Sequence, residues 1–152
     1  DLPRASEIPA AKSYLENRKV DSTKFYYASN FKAWVNTHKK TFDYIKKDES
    51  RIIIPMYDTE SNLIGFQGRS LVPNSVKYIT VMLKEEAPKV YGMDRIDTTK
   101  SVYVVEGPFD STFVKNSIAL CGSDGDIEHL KAYDLIYAYD NEPRNKEIFG
   151  LI

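Results

Sequence analysis

The chain has 152 residues and a mass of 17.4 kDa, with 42% hydrophobic and 28% charged residues. It can bury one globular core or two small ones, which excludes a short peptide, a coiled coil or a fibre. No apolar run approaches the roughly 18 residues of a membrane-spanning helix, and residues 1–4 lack a signal-peptide pattern, so we expect no membrane association. The single cysteine, Cys121, cannot form an internal disulfide or a zinc cluster, which favours a reducing cytoplasm.

The net charge of −1 combines two segments of opposite sign. Residues 1–100 carry 17 Lys or Arg against 13 Asp or Glu, whereas residues 101–152 carry 4 against 9. A basic segment followed by an acidic one suits a protein that holds polyanions with the first and divalent cations with the second. Two ordinary solvated surfaces would give the same charges.

The first predicted segment, residues 1–50, is mainly helical between residues 7 and 48. Ser6 can cap a helix that has Pro9 in its first turn, and a second helix runs through Phe31 and Trp34. The spaced aromatic residues could stack on bases, but we expect them in the core, because a small domain needs their area to fold.

The second predicted segment, residues 51–99, is rich in strands. Strands are predicted over 51–57 and 63–69, which form a hairpin, and over 78–83, and the segment closes on a short run at 89–92. Four basic residues lie near the ends of these runs: Arg51, Arg69, Lys77 and Lys89. Neighbouring strands can bring such residues together at one edge of a sheet. Basic residues scattered over the surface would give the same spacing.

The third predicted segment, residues 100–152, alternates between strands and helices. Strand-like runs cover 101–105, 118–121 and 135–139, and helix-like runs cover 109–115 and 126–132. This alternation predicts a parallel sheet covered on both faces by helices. Such sheets place their ligand crevice at the carboxyl ends of the strands.

Four acidic residues follow the first and third of these strands: Glu106, Asp110, Asp140 and Glu142. Carboxylates crowded at one edge need a cation, and oxygen ligands without His or Cys favour Mg²⁺ or Mn²⁺ over zinc. The alternative is that each acid simply stabilises the positive N-terminal end of a helix.

Two acidic motifs resemble those of the Toprim module of DNA primases, and particularly of the T-even-type phage primases. They are Glu106-Gly107-Pro108-Phe109-Asp110, after the first strand, and Asp140-Asn141-Glu142, after the third. Upstream runs resemble the basic motifs of the primase N-terminal subdomain in the same order, at residues 51–55, 65–69, 77–79 and 89–92. The basic motifs select a primase from among the Toprim proteins.

The resemblance implies a fold and a function. The fold would be an α+β basic N-terminal subdomain followed by a partial α/β Toprim subdomain with a mainly parallel sheet. Glu106, Asp140 and Glu142 would hold catalytic magnesium, with Asp110 as a supporting acid. Arg69, Lys77 and Lys89, with Arg51 less directly implied, would contact nucleotide phosphates and template.

The implied activity is the synthesis of short RNA primers from ribonucleoside triphosphates on single-stranded DNA, with a replicative helicase as a partner, in the host cytoplasm. The chain ends at Ile152, before the family's third acidic motif, and therefore resembles an internal fragment. A Toprim nuclease or phosphoesterase would use the same acids with water as the nucleophile. A non-catalytic nucleic-acid-binding fragment is the other alternative.

Overall fold

The computed structural model describes residues 1–73, 75–121 and 130–138. Its contacts divide the chain into two compact units. Unit 1 comprises Asp1–Pro55 and Leu63–Glu85, and unit 2 comprises Met56–Asn62 and Glu86–Ile152. Within the described ranges, no helix is both long and apolar enough to cross a membrane.

Unit 1 contains two short α-helices, α1 (Pro9–Asn17) and α2 (Phe31–His38). Pro9 is the first residue of α1, as predicted, but Ser6 lies within a 3₁₀ turn and Ile8 stands at the N-cap position, so the predicted Ser6 cap is wrong. The two helices also cover less of residues 7–48 than the pattern indicated, because a 3₁₀ turn and a strand lie between them.

The sheet of unit 1 has the order β1-β2-β3-β4, with β1 at Tyr26–Ala28, β2 at Arg51–Tyr57, β3 at Leu63–Ser70 and β4 at Tyr78–Met82. β1 is antiparallel to β2, and β3 is antiparallel to β4. These bounds confirm the predicted strands of residues 51–83 to within a residue.

The core of unit 1 forms where α2 packs on this sheet. Phe31 and Val35 of α2 are buried in one cluster with Ile53, Phe66 and Val81. The Phe31 ring meets the Phe66 ring edge-on with a centroid distance of 6.3 Å. These aromatic residues therefore form core, as predicted.

Unit 2 contains a mixed sheet of order β5-β7-β6-β8. Its strands are β5 (Val90–Tyr91), β6 (Val102–Val105), β7 (Ser117–Leu120) and β8 (Leu135–Tyr137). β7, β6 and β8 are parallel, which confirms that part of the prediction, whereas β5 is antiparallel to β7. The predicted helix over 126–132 and the end of the strand over 135–139 extend beyond the described residues.

The helix after β6 is shorter than predicted. It is α3 (Pro108–Ser111), rather than a helix over 109–115. Beyond Ser111 the backbone tightens into i→i−3 hydrogen bonds, including one of 3.0 Å from Phe113 N to Asp110 O. Asn116 then takes a positive φ of 52°, which turns the chain into β7.

Candidate active site

The first acidic motif lies at the carboxyl end of β6. Glu106 directly follows the strand, and Gly107 is the extended residue, with φ −142°, that precedes α3. Pro108 begins the helix, where its fixed φ and missing N–H are tolerated. A Cβ atom at Gly107 would lie 3.7 Å from Asp110 Oδ2, so the Asp110 carboxylate lies close to the turn that follows Glu106.

Glu106 and Asp110 are both half-buried and line one cavity of about 250 Å³. Apolar side chains from β6, from the segment after α3 and from the residue after β8 also line it. The lining residues are Val105, Glu106, Asp110, Phe113, Val114 and Ala138. Two carboxylates in a partly apolar cavity form an oxygen donor set of the kind that Mg²⁺ and Mn²⁺ prefer.

A buried polar cluster links α3 to β7. Arg95 Nη2 donates to Ser111 Oγ at 2.7 Å, and Ser111 Oγ lies 2.8 Å from Ser117 Oγ. Ser117 Oγ in turn donates to the Val114 carbonyl at 2.7 Å. Both serines are 1% exposed, so the cluster holds α3, and with it Asp110, against β7. Sequence reasoning did not identify these residues, although Ser111 directly follows the Glu106–Asp110 motif.

The second acidic motif lies outside the described residues. β8 is parallel and adjacent to β6, with Val104 opposite Tyr137, and Ala138 N donates to the Val104 carbonyl at 2.8 Å. Ala138 is the last described residue, and Asp140 and Glu142 follow it two and four positions later. Among the residues that are described, no three His, Cys, Asp or Glu side chains come together as a metal-binding group.

Three of the four predicted basic residues come together at one end of the unit 1 sheet. Arg69 of β3 pairs with Tyr78 of β4, so Lys77 is adjacent to it, and Arg51 begins β2. Lys77 is exposed, and Arg69 is half-buried. Lys89, the fourth, is exposed in unit 2, and its carbonyl accepts a hydrogen bond of 2.8 Å from Cys121 N.

Two tyrosine rings hold the Arg69 guanidinium. The guanidinium carbon lies 5.0 Å from the Tyr78 ring centroid and 5.5 Å from the Tyr14 ring centroid. Arg69 Nε is buried and has no hydrogen-bond partner within the described residues. Burial raises the pKa of Tyr14 despite the opposing charges of Arg69 and Arg18, which keeps its phenol neutral.

Arg51, predicted to contact nucleotide or DNA, is only 2% exposed. Its Nη1 donates to the Gly68 carbonyl at 2.9 Å and to the Lys77 carbonyl at 3.3 Å, and its Nη2 donates to Glu49 Oε2 at 3.0 Å. Burial lowers the pKa of Arg51, partly offset by the charge of Glu49, and the guanidinium remains charged because its ordinary pKa is so high. Arg51 therefore contacts the protein's own backbone and Glu49.

Glu49 was not identified from the sequence. Burial acts to raise the pKa of its carboxyl, but hydrogen bonds from Ser75 and Ser70 and the charge of Arg51 outweigh it and hold this pKa below its usual value. The carboxylate is therefore ionised at neutral pH. Within a run of charged residues at 46–51, no periodic signal distinguishes it from a surface acid.

Comparison with known proteins identifies DNA primases. The chain is 35% identical to the DNA primase of Enterobacteria phage T4 over a match that covers 94% of this chain and 43% of that protein. It is 31% identical to the DNA primase of Borreliella burgdorferi, over 60% of this chain and 21% of that protein. No protein-family profile matches the chain. The chain spans less than half the length of either relative.

The fold agrees with that of solved primase structures. The DnaG primase catalytic domain bound to single-stranded DNA superimposes with a TM-score of 0.67 at 19% identity, covering 96% of this chain and 59% of that chain. The Escherichia coli primase catalytic core gives a TM-score of 0.66 at 18% identity, covering 94% and 60%.

The chain thus has the fold of part of a primase catalytic core, since it covers 59% and 60% of these two structures. The sequence match covers nearly the whole chain, so the chain is homologous to DNA primases, as its motifs indicated, and it corresponds to 43% of the primase of phage T4.

Proposed function

We propose that this chain supplies the basic subdomain and part of the Toprim domain of a primase that synthesises short RNA primers on single-stranded DNA. The observation that carries the proposal is the adjacent, parallel pairing of β6 and β8, the two strands that precede the acidic motifs. Because the carboxyl ends of parallel neighbours meet at one edge, Asp140 and Glu142 are expected near Glu106. The division of the chain at residues 50 and 99 remains a prediction.

Glu106, Asp140 and Glu142 would hold divalent magnesium or manganese, with Asp110 as the supporting acid. The hard oxygen donors of Glu106 and Asp110 fit such an ion. When bound, it would help a ribonucleotide 3′-hydroxyl attack an α-phosphate and offset charge on the departing pyrophosphate. Arg69, Lys77 and Lys89 would bind the phosphates of nucleotide and template. A helicase partner and the host cytoplasm are further predictions of the resemblance.

The test is Glu106→Gln in the full-length protein, assayed with single-stranded DNA and labelled ribonucleotides. We expect primer synthesis to be lost while affinity for single-stranded DNA stays within a few fold, because the substitution removes a metal-ligand charge and no phosphate contact. Glu60→Gln, an exposed acid in the turn after β2, is the matched control. Retained synthesis by Glu106→Gln would refute the assignment, and shortening of the DNA by the unsubstituted protein would favour a nuclease.

A further inference from the structure

A half-buried carboxylate joins three separate segments of unit 1. Glu49 Oε2 accepts hydrogen bonds from Ser75 Oγ at 2.6 Å, from Ser70 Oγ at 2.7 Å and from Arg51 Nη2 at 3.0 Å. Ser70 ends β3, and Ser75 lies in the connection between β3 and β4. One oxygen atom therefore anchors both sides of this connection to the segment before β2.

Arg51 extends the same network to the backbone. Its two bonds from Nη1 reach the Gly68 carbonyl, one residue before Arg69, and the carbonyl of Lys77 itself. The Lys77 carbonyl also accepts a hydrogen bond of 2.9 Å from Ser70 N. The Arg51 guanidinium therefore contacts the backbone of Lys77 and of the residue before Arg69, the two basic residues proposed to bind phosphate.

Solvation and charge argue against Arg51 as a phosphate ligand itself. Its side chain is 3% exposed, and the Glu49 carboxylate at 3.0 Å neutralises its charge. An ion pair withdrawn from water adds little net stability compared with apolar residues of the same volume. Its hydrogen bonds nevertheless hold the two charged side chains, and the segments that carry them, in one geometry. The connection it anchors spans residues 71–77, longer than a tight two-residue turn, and would sample several conformations without such contacts.

We propose that Glu49 and Arg51 are positioning residues, which pre-organise the β3–β4 connection so that Arg69 and Lys77 can bind phosphates of the nucleic acid together. This inference rests on the proposed function of Arg69 and Lys77. Pre-organised side chains bind more tightly because less conformational freedom is lost on binding.

The sign of one substitution separates positioning from simple electrostatics. Glu49→Gln removes a negative charge, and a general charge effect would strengthen binding to DNA. If Glu49 positions the connection, the same substitution weakens binding. The control Glu60→Gln makes the same charge change at an exposed acid outside the network.

The experiment is a double-substitution cycle on the full-length protein, with affinity for an oligodeoxythymidylate measured by fluorescence anisotropy at fixed salt. We expect Glu49→Gln to weaken binding about fivefold and Lys77→Ala about tenfold. The double variant should lose clearly less than about fiftyfold, because part of the effect of Glu49 is exerted through Lys77 and the rest through Arg69. We expect Glu60→Gln to bind as tightly as the unsubstituted protein, or slightly tighter.

Each result has one reading. Unchanged or tighter binding by Glu49→Gln, or a fiftyfold loss in the double variant, overturns the positioning role. Unchanged binding by Lys77→Ala refutes the proposed phosphate contact of Lys77 and the positioning role with it. If Glu49→Gln does not fold, Ser75→Ala takes its place in the cycle, with an expected loss of about twofold. It removes the 2.6 Å hydrogen bond to Glu49 Oε2 and the 3.4 Å hydrogen bond from Arg51 Nη2.

Arg51→Lys distinguishes geometry from charge. Lysine keeps the positive charge but cannot donate from two nitrogens in a fixed fork. We therefore expect it to bind DNA as weakly as Glu49→Gln. Affinity equal to that of the unsubstituted protein would overturn the positioning role and return Arg51 to a simple charge effect.

Discussion

Substitution of Gly68 by alanine tests the packing beneath the basic end of the unit 1 sheet. Gly68 lies on β3 directly before Arg69. A Cβ atom there would lie 2.5 Å from Phe31 Cε1, 2.8 Å from Phe31 Cζ and 3.0 Å from Arg51 Cδ. Carbon atoms in van der Waals contact are about 3.5–4.0 Å apart, so the Phe31 ring would have to move by roughly 1 Å or more.

Phe31 has little room to move, because it is 0% exposed and in contact with three other aromatic rings. Overpacking of this kind costs about 1–3 kcal/mol. Because other aromatic rings pack against the Phe31 ring on several sides, we expect Gly68→Ala to lower the free energy of unfolding by about 2–3 kcal/mol. Only Gly92 has a positive φ among the described glycines, so the cost at Gly68 is steric.

The assay is chemical denaturation followed by the fluorescence of Trp34, the single tryptophan of the chain. Its ring centroid lies 6.4 Å from that of Phe31, so the signal reports the affected packing. Gly107→Ala is the matched control, because its nearest neighbour would be at an ordinary contact distance of 3.7 Å. We expect that control to change stability by less than about 1 kcal/mol.

A second substitution provides a stricter test. Phe31→Leu alone removes ring atoms from the core and should cost about 1–2 kcal/mol. Leucine lacks Cε1 and Cζ, so the double variant with Gly68→Ala should lose less stability than the two single losses combined. Additive losses, or Gly68→Ala as stable as the unsubstituted protein, would refute the steric argument.

Three further predictions follow from the charged residues. Arg69→Ala and Lys77→Ala should each weaken DNA binding and reduce the slope of log affinity against log salt by about one, measured by salt titration. The pKa of the Glu49 carboxyl is lower in the folded protein than in the unfolded chain, so the ionised carboxylate stabilises the fold. This stabilisation is fully present above the unfolded pKa of about 4.3 and is lost as the pH falls through the folded pKa. The stability difference between unsubstituted protein and Glu49→Gln should therefore shrink below about pH 4.3, measured by denaturation at each pH. In the primer assay, Asp140→Asn should eliminate synthesis, whereas Glu142→Asp should keep a measurable part, better with Mn²⁺, because the longer glutamate would reach the ion mainly through water.

Each of these predictions has a contrary outcome. Unchanged salt slopes for both basic variants would mean ordinary surface charge. A stability difference that stays constant down to pH 3 would mean that Glu49 keeps the same pKa in the folded and unfolded chain. Equal and complete loss in Asp140→Asn and Glu142→Asp, without rescue by Mn²⁺, would make both acids direct ligands of fixed length.

Local sequence pattern determined the strands and the acidic motif after β6. The run of β-branched residues at 52–54 and the turn residues at 58–62 marked β2 and the start of β3 correctly, because strand periodicity and turn chemistry act over a few residues. The strand-like run at 101–105 likewise marked β6, which spans Val102–Val105. The family followed from the order of six short motifs, which no single motif would have shown.

Only the tertiary structure decided what the arginines at strand ends do. Arg51 and Arg69 look alike in the sequence, yet Arg51 is buried against Glu49 while Arg69 lies between two tyrosine rings. The tertiary structure also brought Arg95 and Ser117 into hydrogen-bonding distance of Ser111 in α3. Periodicity determines which face of an element is buried, but the partner of a buried charge comes from a distant segment, and the partner decides whether that charge binds a ligand or the protein itself.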